Sequence, residues 1–508
     1  MTPAPPATRG PAELERRLGL YDATMIVMGS IIGSGIFLVS AGMARQLGSP
    51  GWLLVAWAIS GLLAIAGALS YAELAAMMPR AGGSYVYLRE AFSPIWGFLF
   101  GWTFLLVVQT GSIAAVAVAF ARFLGVLAPG IAEDRYLIEP VPLVSRYAIS
   151  LSTAQLVAIT LILLLTWANT RGLGPGTIIQ NIFASSNVAT LAALIVAGLA
   201  LGLGSAAANA NFSDLWTVQN PEAIVPGVSA VTAFGLVVAL LVAQVGSFFS
   251  TTGWDNLAYA AGEVRHPERT LPLALALGVG LAMTLYLLVN VAYLSALPIA
   301  AIQQAPGDRV ASAAFEALWP GVGALVIAGA VVIATFGANN AMIMAGARIY
   351  YAMARDGLFF EPAGRLNRAR VPGWSLALQG AWAAALVLPR TARADGSYGS
   401  LYGDLLDYAT FALLLFYALS VACVYRLRRT RPGPRAGATP GYPVTPAIFL
   451  AGAGAIMLAL VVYRPYTTWL GLGLVLLGIP VYFLWRRFDS GSGRSAPLAT
   501  RAPAAPSP

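Results

Sequence analysis

The chain has 508 residues, of which 58% are hydrophobic and only 10% are charged. So much apolar surface does not fit inside a water-soluble fold, so the composition excludes a soluble globular protein and indicates an integral membrane protein. The net charge of +9 comes from Arg alone, because the sequence contains no Lys. In a membrane protein the distribution of such residues among the loops matters more than their sum, so we expect no nucleic acid partner.

Apolar runs of roughly 20 residues recur along the whole chain, and each is long enough to cross about 30 Å of hydrocarbon in the lipid bilayer. We count twelve such spans and number them in chain order. They predict an all-α fold with one transmembrane domain over residues 20–488, a preceding tail of residues 1–19 and a disordered tail of residues 489–508. The spans begin near Leu20, Gly51, Phe92, Ser152, Thr177, Ser229, Leu271, Gly321, Trp374, Leu401, Pro446 and Thr467.

The Arg residues are distributed unevenly between the loops. With both termini on one side of the membrane, roughly 22 of the 30 Arg lie on that side, and the positive-inside rule then predicts that both termini are cytoplasmic. The polar, Pro-rich start of the chain lacks the features of a cleavable signal peptide, so span 1 is expected to remain in the cytoplasmic membrane. The single cysteine, Cys423, lies in span 10, which leaves no disulfide framework and no cysteine metal site. We expect no cofactor.

The stretch "MGSIIGSGIFLVS" in span 1 is rich in small residues where a stable helix would prefer Leu or Ala. Gly29 and Gly33 form a GxxxG pattern, which is typical of close helix packing. The alternative is a helix that breaks inside the membrane, which is tolerated only where the backbone is buried in protein or lines a polar cavity. This stretch alone leaves both interpretations open.

A second interruption, "QVGSFFSTTGWDN", occurs in span 6, five spans after the first. Broken helices at matching places are typical of transporters built from two inverted repeats, here residues 20–203 and 229–426. A half-helix that begins at a break presents free N–H groups to a carboxylate, and one that ends there presents free carbonyls to an ammonium. The pair of interruptions therefore favours broken helices and a zwitterionic ligand.

The residues "GSIIGSGIF" resemble the helix-1 signature of the amino acid–polyamine–organocation transporters, and particularly of their L-type amino acid transporter branch. The resemblance continues in family order through "SYAELAAMMPRAGGSYVYLREAF", "GTIIQNIF", "GWDNL" and "FGANNAMIMAGARIYYAMARDG". It implies a five-plus-five inverted repeat of the leucine-transporter type with spans 1 and 6 broken. It also implies two extra helices over residues 446–487 and transport by alternating access.

The resemblance also assigns substrate-binding residues by position. Backbone N–H groups in span 1 hold the substrate carboxylate, and carbonyls in spans 1 and 6 accept the ammonium. An aromatic ring closes the extracellular side as a gate, and span 3 borders the side-chain pocket. In that order the residues are Ser34, Gly35 and Ile36 for the carboxylate; Ile31, Phe249 and Thr252 for the ammonium; Phe249 for the gate; and Val107, Val108 and Ser112 for the pocket.

The sequence departs from the family pattern in three places. Ser250, Thr251 and Thr252 replace smaller residues, which favours small or medium neutral amino acids as substrates. Asn187 stands where many relatives have a Lys. An amide does not titrate, so this residue excludes a proton route at that position. Sodium coupling is not excluded, because Thr335 lies near the usual hydroxyl ligands of the ion. No Cys lies between spans 3 and 4, so we expect no disulfide-linked heavy chain.

Ionisable residues near the spans are candidates for function because they are costly in a membrane. Asp255 either faces the cavity, where it contacts the ammonium or a coupling ion, or caps the second half-helix. Glu73 is expected to pair with a cytoplasmic Arg and close an inner gate, with a proton-carrying role as the alternative. Asp404 and Asp407 are expected to be first-turn acids at the outer end of span 10. His266 lies in a predicted cytoplasmic loop, which argues against proton coupling through it.

The leading functional hypothesis is a secondary transporter of L-amino acids that works by exchange or facilitated diffusion. A sodium- or proton-coupled symporter for amino acids, amines or polyamines is the alternative. The sequence has no HExxH, no Cys/His cluster and no Ser/His/Asp set, which argues against an enzyme. It has no P-loop for an ATP-driven pump and no long soluble segment for a sensor.

Overall fold

The computed structural model describes residues 16, 18–79, 82–144, 147–172, 176–391, 398–399, 401–432 and 437–491. Most of the predicted tail 1–19 and of the predicted tail 489–508 lies outside these residues. Within them the chain is mainly helical. The first ten α-helices are α1 (Leu20–Ile31), α2 (Gly35–Leu47), α3 (Pro50–Met77), α4 (Ser84–Ala91), α5 (Pro94–Thr103), α6 (Gln109–Leu127), α7 (Thr153–Thr170), α8 (Gly176–Gly202), α9 (Ala206–Ser213) and α10 (Ala233–Ser250).

The second part of the chain continues this pattern. A π-helical turn, Phe104–Val108, joins α5 to α6 without a break, and short 3-10 turns cover Ala261–Glu263, Pro306–Asp308 and Glu361–Gly364. The remaining α-helices are α11 (Asn256–Tyr259), α12 (Pro267–Ala296), α13 (Ile299–Gln303), α14 (Val310–Leu318), α15 (Gly323–Arg355), α16 (Gly373–Leu386), α17 (Leu401–Thr430), α18 (Val444–Tyr463) and α19 (Pro465–Gly491).

Within the described residues, ten helices are long and apolar enough to cross a membrane, and there are eleven when α1 and α2 count as one bent span. The predicted ninth span corresponds to α16, which has only 14 residues. At 1.5 Å per residue this helix is about 21 Å long and falls short of the hydrocarbon thickness. The chain is thus a multi-pass, α-helical membrane protein.

The chain leaves the helical conformation between α1 and α2. Ile32 has ψ 83°, outside the helical range, and the axes of the two helices differ by 40°. A second interruption follows α10, where Gly253 has φ +96°. Only glycine adopts this conformation without strain, so the helix ends at Ser250 and a new one begins at Asn256.

A small antiparallel sheet is the one element that an all-α prediction does not contain. Strands β1 (Tyr136–Val144) and β2 (Tyr147–Ser152) form a hairpin between α6 and α7, and β3 (Pro389–Thr391) pairs with β2. Ser152 then begins α7 with a capping box, in which its hydroxyl accepts from the N–H of Gln155. The sheet connects the end of α6, the start of α7 and the end of α16.

The core lies around the α5–α6 segment, because 89% of its apolar window is buried, against 28% for the window in α19. At the start of the chain, Leu18 forms a parallel β-bridge with Val264. The Leu18 N–H donates to the Glu263 carbonyl at 3.0 Å, and the Arg265 N–H donates to the Leu18 carbonyl at 2.9 Å. The segment before α1 is thereby fastened to the segment after α11.

Candidate functional site

The two interruptions lie against each other. A Cβ atom added at Gly35 would lie 2.6 Å from the Cβ of Ser250, and one added at Gly253 would lie 2.6 Å from the Ser30 carbonyl oxygen. A Cβ at Gly33 would instead meet Ala338 at an ordinary 3.9 Å. The close approach that a GxxxG pattern predicts is therefore not made by Gly33; it is made by Gly35.

Tyr286 on α12 bridges the two interruptions. Its hydroxyl lies 2.7 Å from the carbonyl oxygen of Ile31 and 3.2 Å from that of Ser250. The single hydroxyl proton is shared between these two acceptors, with the shorter bond to Ile31. The Ile31 carbonyl also accepts from the N–H of Gly33 at 2.8 Å, so both of its lone pairs are occupied.

The Phe249 carbonyl is paired in a similar way. It accepts from the N–H of Thr252 at 3.2 Å and from the Thr252 hydroxyl at 2.6 Å. The carbonyl of Thr252 itself has no donor within the described part of the chain. Of the three carbonyls assigned to the ammonium by resemblance, only that of Thr252 is therefore open in this conformation.

The N–H groups at the start of α2 are open. Among the described residues, no hydrogen-bond acceptor is found for the N–H of Ser34, Gly35 or Ile36, as expected for the first turn of a helix. The hydroxyls of Ser34 and Tyr402 lie 3.0 Å apart. Unpaired N–H groups and the positive end of a helix dipole favour an anion at this point.

The hydroxyl run at the end of α10 is paired within its own helix. Ser250 donates to the carbonyl of Gly246 at 2.7 Å, and Thr251 donates to that of Phe248 at 2.9 Å. Together with Thr252, these side chains add side-chain donors to carbonyls at the end of the helix. Their hydroxyl protons are thus used by the helix end.

The predicted pocket residues of span 3 lie at the π-helical turn. Val107 and Val108 belong to the turn, and the Ser112 hydroxyl donates to the Val108 carbonyl at 2.7 Å. All three residues are buried. Phe104, in the same turn, packs edge-on against Tyr259 of α11 with ring centres 5.9 Å apart. The turn therefore lies beside the helix that follows the second interruption, and π turns often occur at functional sites.

Asn187 and Thr335 have different surroundings. The Asn187 side-chain amide donates to the Ile32 carbonyl at 2.9 Å, which joins α8 to the first interruption, while its Oδ1 is buried without a partner in the described residues. The Thr335 hydroxyl donates to carbonyls of its own helix, Val331 at 2.7 Å and Val332 at 3.2 Å. Only Asn187 therefore contacts an interruption through its side chain.

Asp255 is buried but does not cap α11. It occupies the N-cap position, yet its side chain forms no capping hydrogen bond. Its two oxygens instead accept from tyrosine hydroxyls, one from Tyr417 at 2.6 Å and one from Tyr259. The capping interpretation is wrong because these two hydroxyls compete successfully for the carboxylate. Asp255 thereby links the second interruption to α17.

Glu73 forms the ion pair that the sequence predicts. It is completely buried and accepts from Arg428 Nε at 2.8 Å and Nη2 at 2.6 Å. The N–H of Thr439 at 2.9 Å and its hydroxyl at 2.7 Å complete the set. These hydrogen bonds on one carboxylate join α3, α17 and the segment before α18.

Replacing Glu73 with Gln should destabilise the protein strongly. The change removes the charge that compensates Arg428, and breaking a buried ion pair costs about 3–5 kcal/mol. Thermal unfolding of the purified protein, followed by Trp fluorescence, should show a clearly lower Tm. The control is Glu361→Gln, whose exposed pair with Arg365 is worth at most about 1 kcal/mol. Equal effects of the two substitutions would contradict the prediction.

Five charged residues, Arg45, Arg122, Arg390, Glu133 and Asp308, form a cluster near the end of α6, and we call it the Arg122 cluster. Arg122 pairs with Glu133 and lies 3.8 Å from Asp308. Arg45 pairs with Asp308 at 2.8 Å, and Arg390 pairs with Glu133 at 3.4 Å. The shared acids thus join the ends of α2 and α6, the turn before α14 and strand β3.

The Arg122 cluster contacts the first interruption through one tyrosine. The Arg122 guanidinium carbon lies 5.7 Å from the centre of the Tyr402 ring, whose hydroxyl contacts Ser34. Burial and the positive charge of Arg122 also lower the pKa of the nearby Arg309. A single residue, Tyr402, therefore separates the Arg122 cluster from the open N–H groups of α2.

Tyr286, Tyr402 and Arg122 were not identified from the sequence. A usable signal exists for two of them, because Tyr286 lies in the middle of an apolar span and Arg122 is a charged residue within span 3. His266 is highly exposed at 85% of its side chain, next to Glu268. The side chains of Asp404 and Asp407 lie outside the described residues.

An α-helical, multi-pass chain whose two interrupted helices meet at open backbone groups has the architecture of a membrane transporter. Residues 18–481 match the amino acid permease family, so the chain belongs to that family. It is 29% identical over 487 residues to the b(0,+)-type amino acid transporter 1 of Mus musculus, covering 94% of this chain and 89% of the relative. It is 29% identical over 488 residues to the large neutral amino acids transporter small subunit 2 of Homo sapiens, covering 94% and 81%.

These matches confirm the resemblance to the amino acid–polyamine–organocation superfamily and its L-type branch. They indicate amino acid transport across a membrane and point to a transporter, not to an enzyme.

Proposed function

We propose that the protein exchanges small to medium neutral L-amino acids across the cytoplasmic membrane by alternating access. The N–H groups of Ser34, Gly35 and Ile36 bind the carboxylate, because they are the unpaired donors at a positive helix end. The ammonium binds first at the open Thr252 carbonyl. It reaches the carbonyls of Ile31 and Phe249 only by displacing hydroxyl donors.

The observation that carries this proposal is the bridge made by Tyr286. A carbonyl has two lone pairs, and in this conformation those of Ile31 are taken by Tyr286 and Gly33. An ammonium that replaces the Tyr286 hydroxyl releases the bridge between the two interruptions. Substrate binding and relative movement of the two broken helices are thereby coupled, which is what alternating access requires.

The repeat arrangement supports the same mechanism. We assign residues 20–203 and 229–426 as inverted repeats with α1–α2 and α10–α11 as their broken first helices. In this arrangement α16 is the short ninth span of twelve, and α18 and α19 are the two extra helices. Both termini are cytoplasmic on the Arg distribution. The Arg122 cluster and Phe249 then close the extracellular side, and the Glu73–Arg428 pair closes the cytoplasmic side.

Uptake into proteoliposomes tests the proposal. Purified protein is reconstituted, and uptake of radiolabelled neutral, cationic and acidic L-amino acids is measured with and without internal amino acid. Exchange predicts uptake of small and medium neutral amino acids only when the lumen contains substrate. Failure to take up any amino acid, with or without a sodium or proton gradient, would overturn the proposal.

Transport should not depend on sodium. The Asn187 amide donates a hydrogen bond to the Ile32 carbonyl and so occupies the place where a cation would otherwise bind. Replacing sodium with choline should leave wild-type uptake unchanged. Asn187→Ala removes one hydrogen bond worth about 0.5–1.5 kcal/mol and should slow uptake by about twofold to tenfold. Initial rates in the two buffers provide the measurement.

Thr335→Val is the matched control for this experiment. The Thr335 hydroxyl bonds only within its own helix, so the variant should behave like the wild type in both buffers. Wild-type uptake that requires sodium and is lost in Thr335→Val would favour the symporter alternative.

We also propose that the protein acts without a disulfide-linked heavy chain. The single cysteine of the sequence, Cys423, is buried in α17, where its thiol lies 3.3 Å from the Leu419 carbonyl. A buried thiol in mid-helix is not placed to bond a partner. Activity of the purified chain alone in proteoliposomes tests this point directly.

A further inference from the structure

A cavity of about 230 Å³ is lined by residues of α1, before the first interruption, and by residues that follow the second interruption. Ser30, at the end of α1, and Asn256, at the start of α11, line it close to the interruptions. Glu263 and Arg348 line it as well, and Leu18 marks its far end. The cavity therefore extends from the first interruption along α1, separate from the open N–H groups of α2.

Two buried polar side chains line this cavity without partners. Ser30 is 3% exposed and Asn256 is 7% exposed. Neither side chain forms a hydrogen bond with any other described residue, although both belong to the cavity wall. Most buried polar groups in proteins have a protein or solvent partner. A hydroxyl and an amide are thus available to a polar guest.

Two opposite charges lie in the same wall. Arg348 Nη2 is 3.0 Å from a carboxylate oxygen of Glu263, and their side chains are 28% and 23% exposed. The wall is otherwise apolar, with Ile26, Ala341 and Met344. The cavity combines one cation, one anion, two neutral hydrogen-bonding groups and an apolar surface.

We infer that this cavity is a second binding site for an α-amino acid, in which Arg348 binds the carboxylate and Glu263 binds the ammonium. The inference rests on the proposed function, because it concerns the same class of substrate on its path between the interruptions and one face of the membrane. Ser30 and Asn256 add hydrogen bonds to the charged end, and the apolar wall takes the side chain.

A zwitterion is the ligand that this charge arrangement fits. An amine alone or a carboxylate alone would leave either Arg348 or Glu263 without its partner, and an uncompensated charge in a partly buried site is costly. A zwitterion replaces both partners at once, because its two charged groups are bonded to the same carbon atom. Arg also binds a carboxylate with two parallel hydrogen bonds, which strengthens the contact.

The test uses a cysteine in the apolar wall as reporter. Ala345→Cys, in a Cys423→Ala background, is labelled with a maleimide on purified protein in detergent, so that both faces are accessible. We expect L-leucine to protect the cysteine, whereas isoamylamine and 4-methylpentanoate, which each keep one of its charged groups, do not. Arg348→Gln should raise the half-protecting concentration of L-leucine at least about tenfold.

A charge exchange separates this site from a simple ion-pair latch. The double variant Arg348→Glu with Glu263→Arg keeps an ion pair but reverses its polarity. In this double variant the half-protecting concentration of L-leucine should remain at least about tenfold above that of the wild type. An unchanged Tm shows that the variant is folded. Protection restored to the wild-type level would overturn the inference, because a latch needs only the pair.

The result also remains distinguishable from failure of the proposed function. Protein that takes up amino acids but shows no protection by L-leucine would overturn the inference alone. Protein that shows protection by L-leucine but no uptake would overturn the proposed transport and leave the binding site. Equal protection by the amine or the acid analogue would overturn the assignment of the zwitterion.

Discussion

Gly35→Ala should reduce amino acid uptake by about tenfold or more and lower the Tm. The new Cβ would lie 2.6 Å from the Cβ and 3.0 Å from the Cα of Ser250, closer than packed carbon atoms approach each other. Relief requires α2 to move away from α10, and overpacking of this kind costs about 1–3 kcal/mol. The displacement also moves the N–H groups of residues 34–36 from the position proposed for the carboxylate. Uptake rates in proteoliposomes and thermal unfolding measure the two effects.

Ser250→Gly provides the compensating change. In the double variant it removes the Cβ and Oγ that collide with the new methyl group, so that only the backbone at position 250 remains close to it. The double variant should therefore recover a large part of uptake and Tm relative to Gly35→Ala, with a coupling energy of about 0.5–3 kcal/mol. Wild-type behaviour of Gly35→Ala, or a double variant no better than the single, would contradict the close approach of α2 to α10. Because of the same close approach, Gly35→Leu would disturb the fold as well as the site.

Arg122→Gln should open the side of the protein that the Arg122 cluster closes. The substitution removes the cation shared by Glu133 and Asp308. Because each acid keeps a second Arg, we expect the lower end of the about 3–5 kcal/mol that loss of one partner of a buried ion pair costs. Because this cost falls on the closed conformation, the population of the open one should rise by about a hundredfold. The labelling rate of Ser34→Cys, in a Cys423→Ala background, with an impermeant maleimide should rise at least about tenfold.

An exposed Arg that follows the 3-10 turn Glu361–Gly364 serves as the control for Arg122. Arg365 has 71% of its side chain exposed and pairs with Glu361 one turn away. Such a pair is worth about 0.2–1 kcal/mol, so Arg365→Gln should leave labelling at Ser34→Cys unchanged. A labelling rate in Arg122→Gln that equals the wild-type rate would show that the cluster is not part of the closure.

The helical organisation could be predicted because hydrocarbon length imposes about 20 apolar residues per span. The two interruptions were also visible, since small and hydroxyl residues replace large apolar ones at "GSIIGSG" and "GSFFSTTG". Gly253 shows why: its φ of +96° requires glycine. The contact between Glu73 and an Arg was expected because a buried carboxylate needs a compensating charge.

Other features depend on residues that meet only in the folded chain. The Tyr286 bridge joins α12 to two interruptions elsewhere in the sequence, and nothing in the local pattern names its acceptors. Strand β1 contains Pro140 and Pro142, which argue against a strand, yet proline is tolerated in an edge strand. Its sheet is completed by β3, far along the chain. The capping role considered for Asp255 failed for the same reason, because Tyr417 comes from α17.

The bridge between Leu18 and the segment after α11 makes two backbone amides into reporters of movement. The amide protons of Leu18 and Arg265 are held by that bridge, so they exchange with deuterium only when it opens. Their protection factors should therefore be similar and should change together when substrate is added. Hydrogen exchange at these two amides thus gives a way to follow motion of the first broken helix relative to the second without any label or substitution.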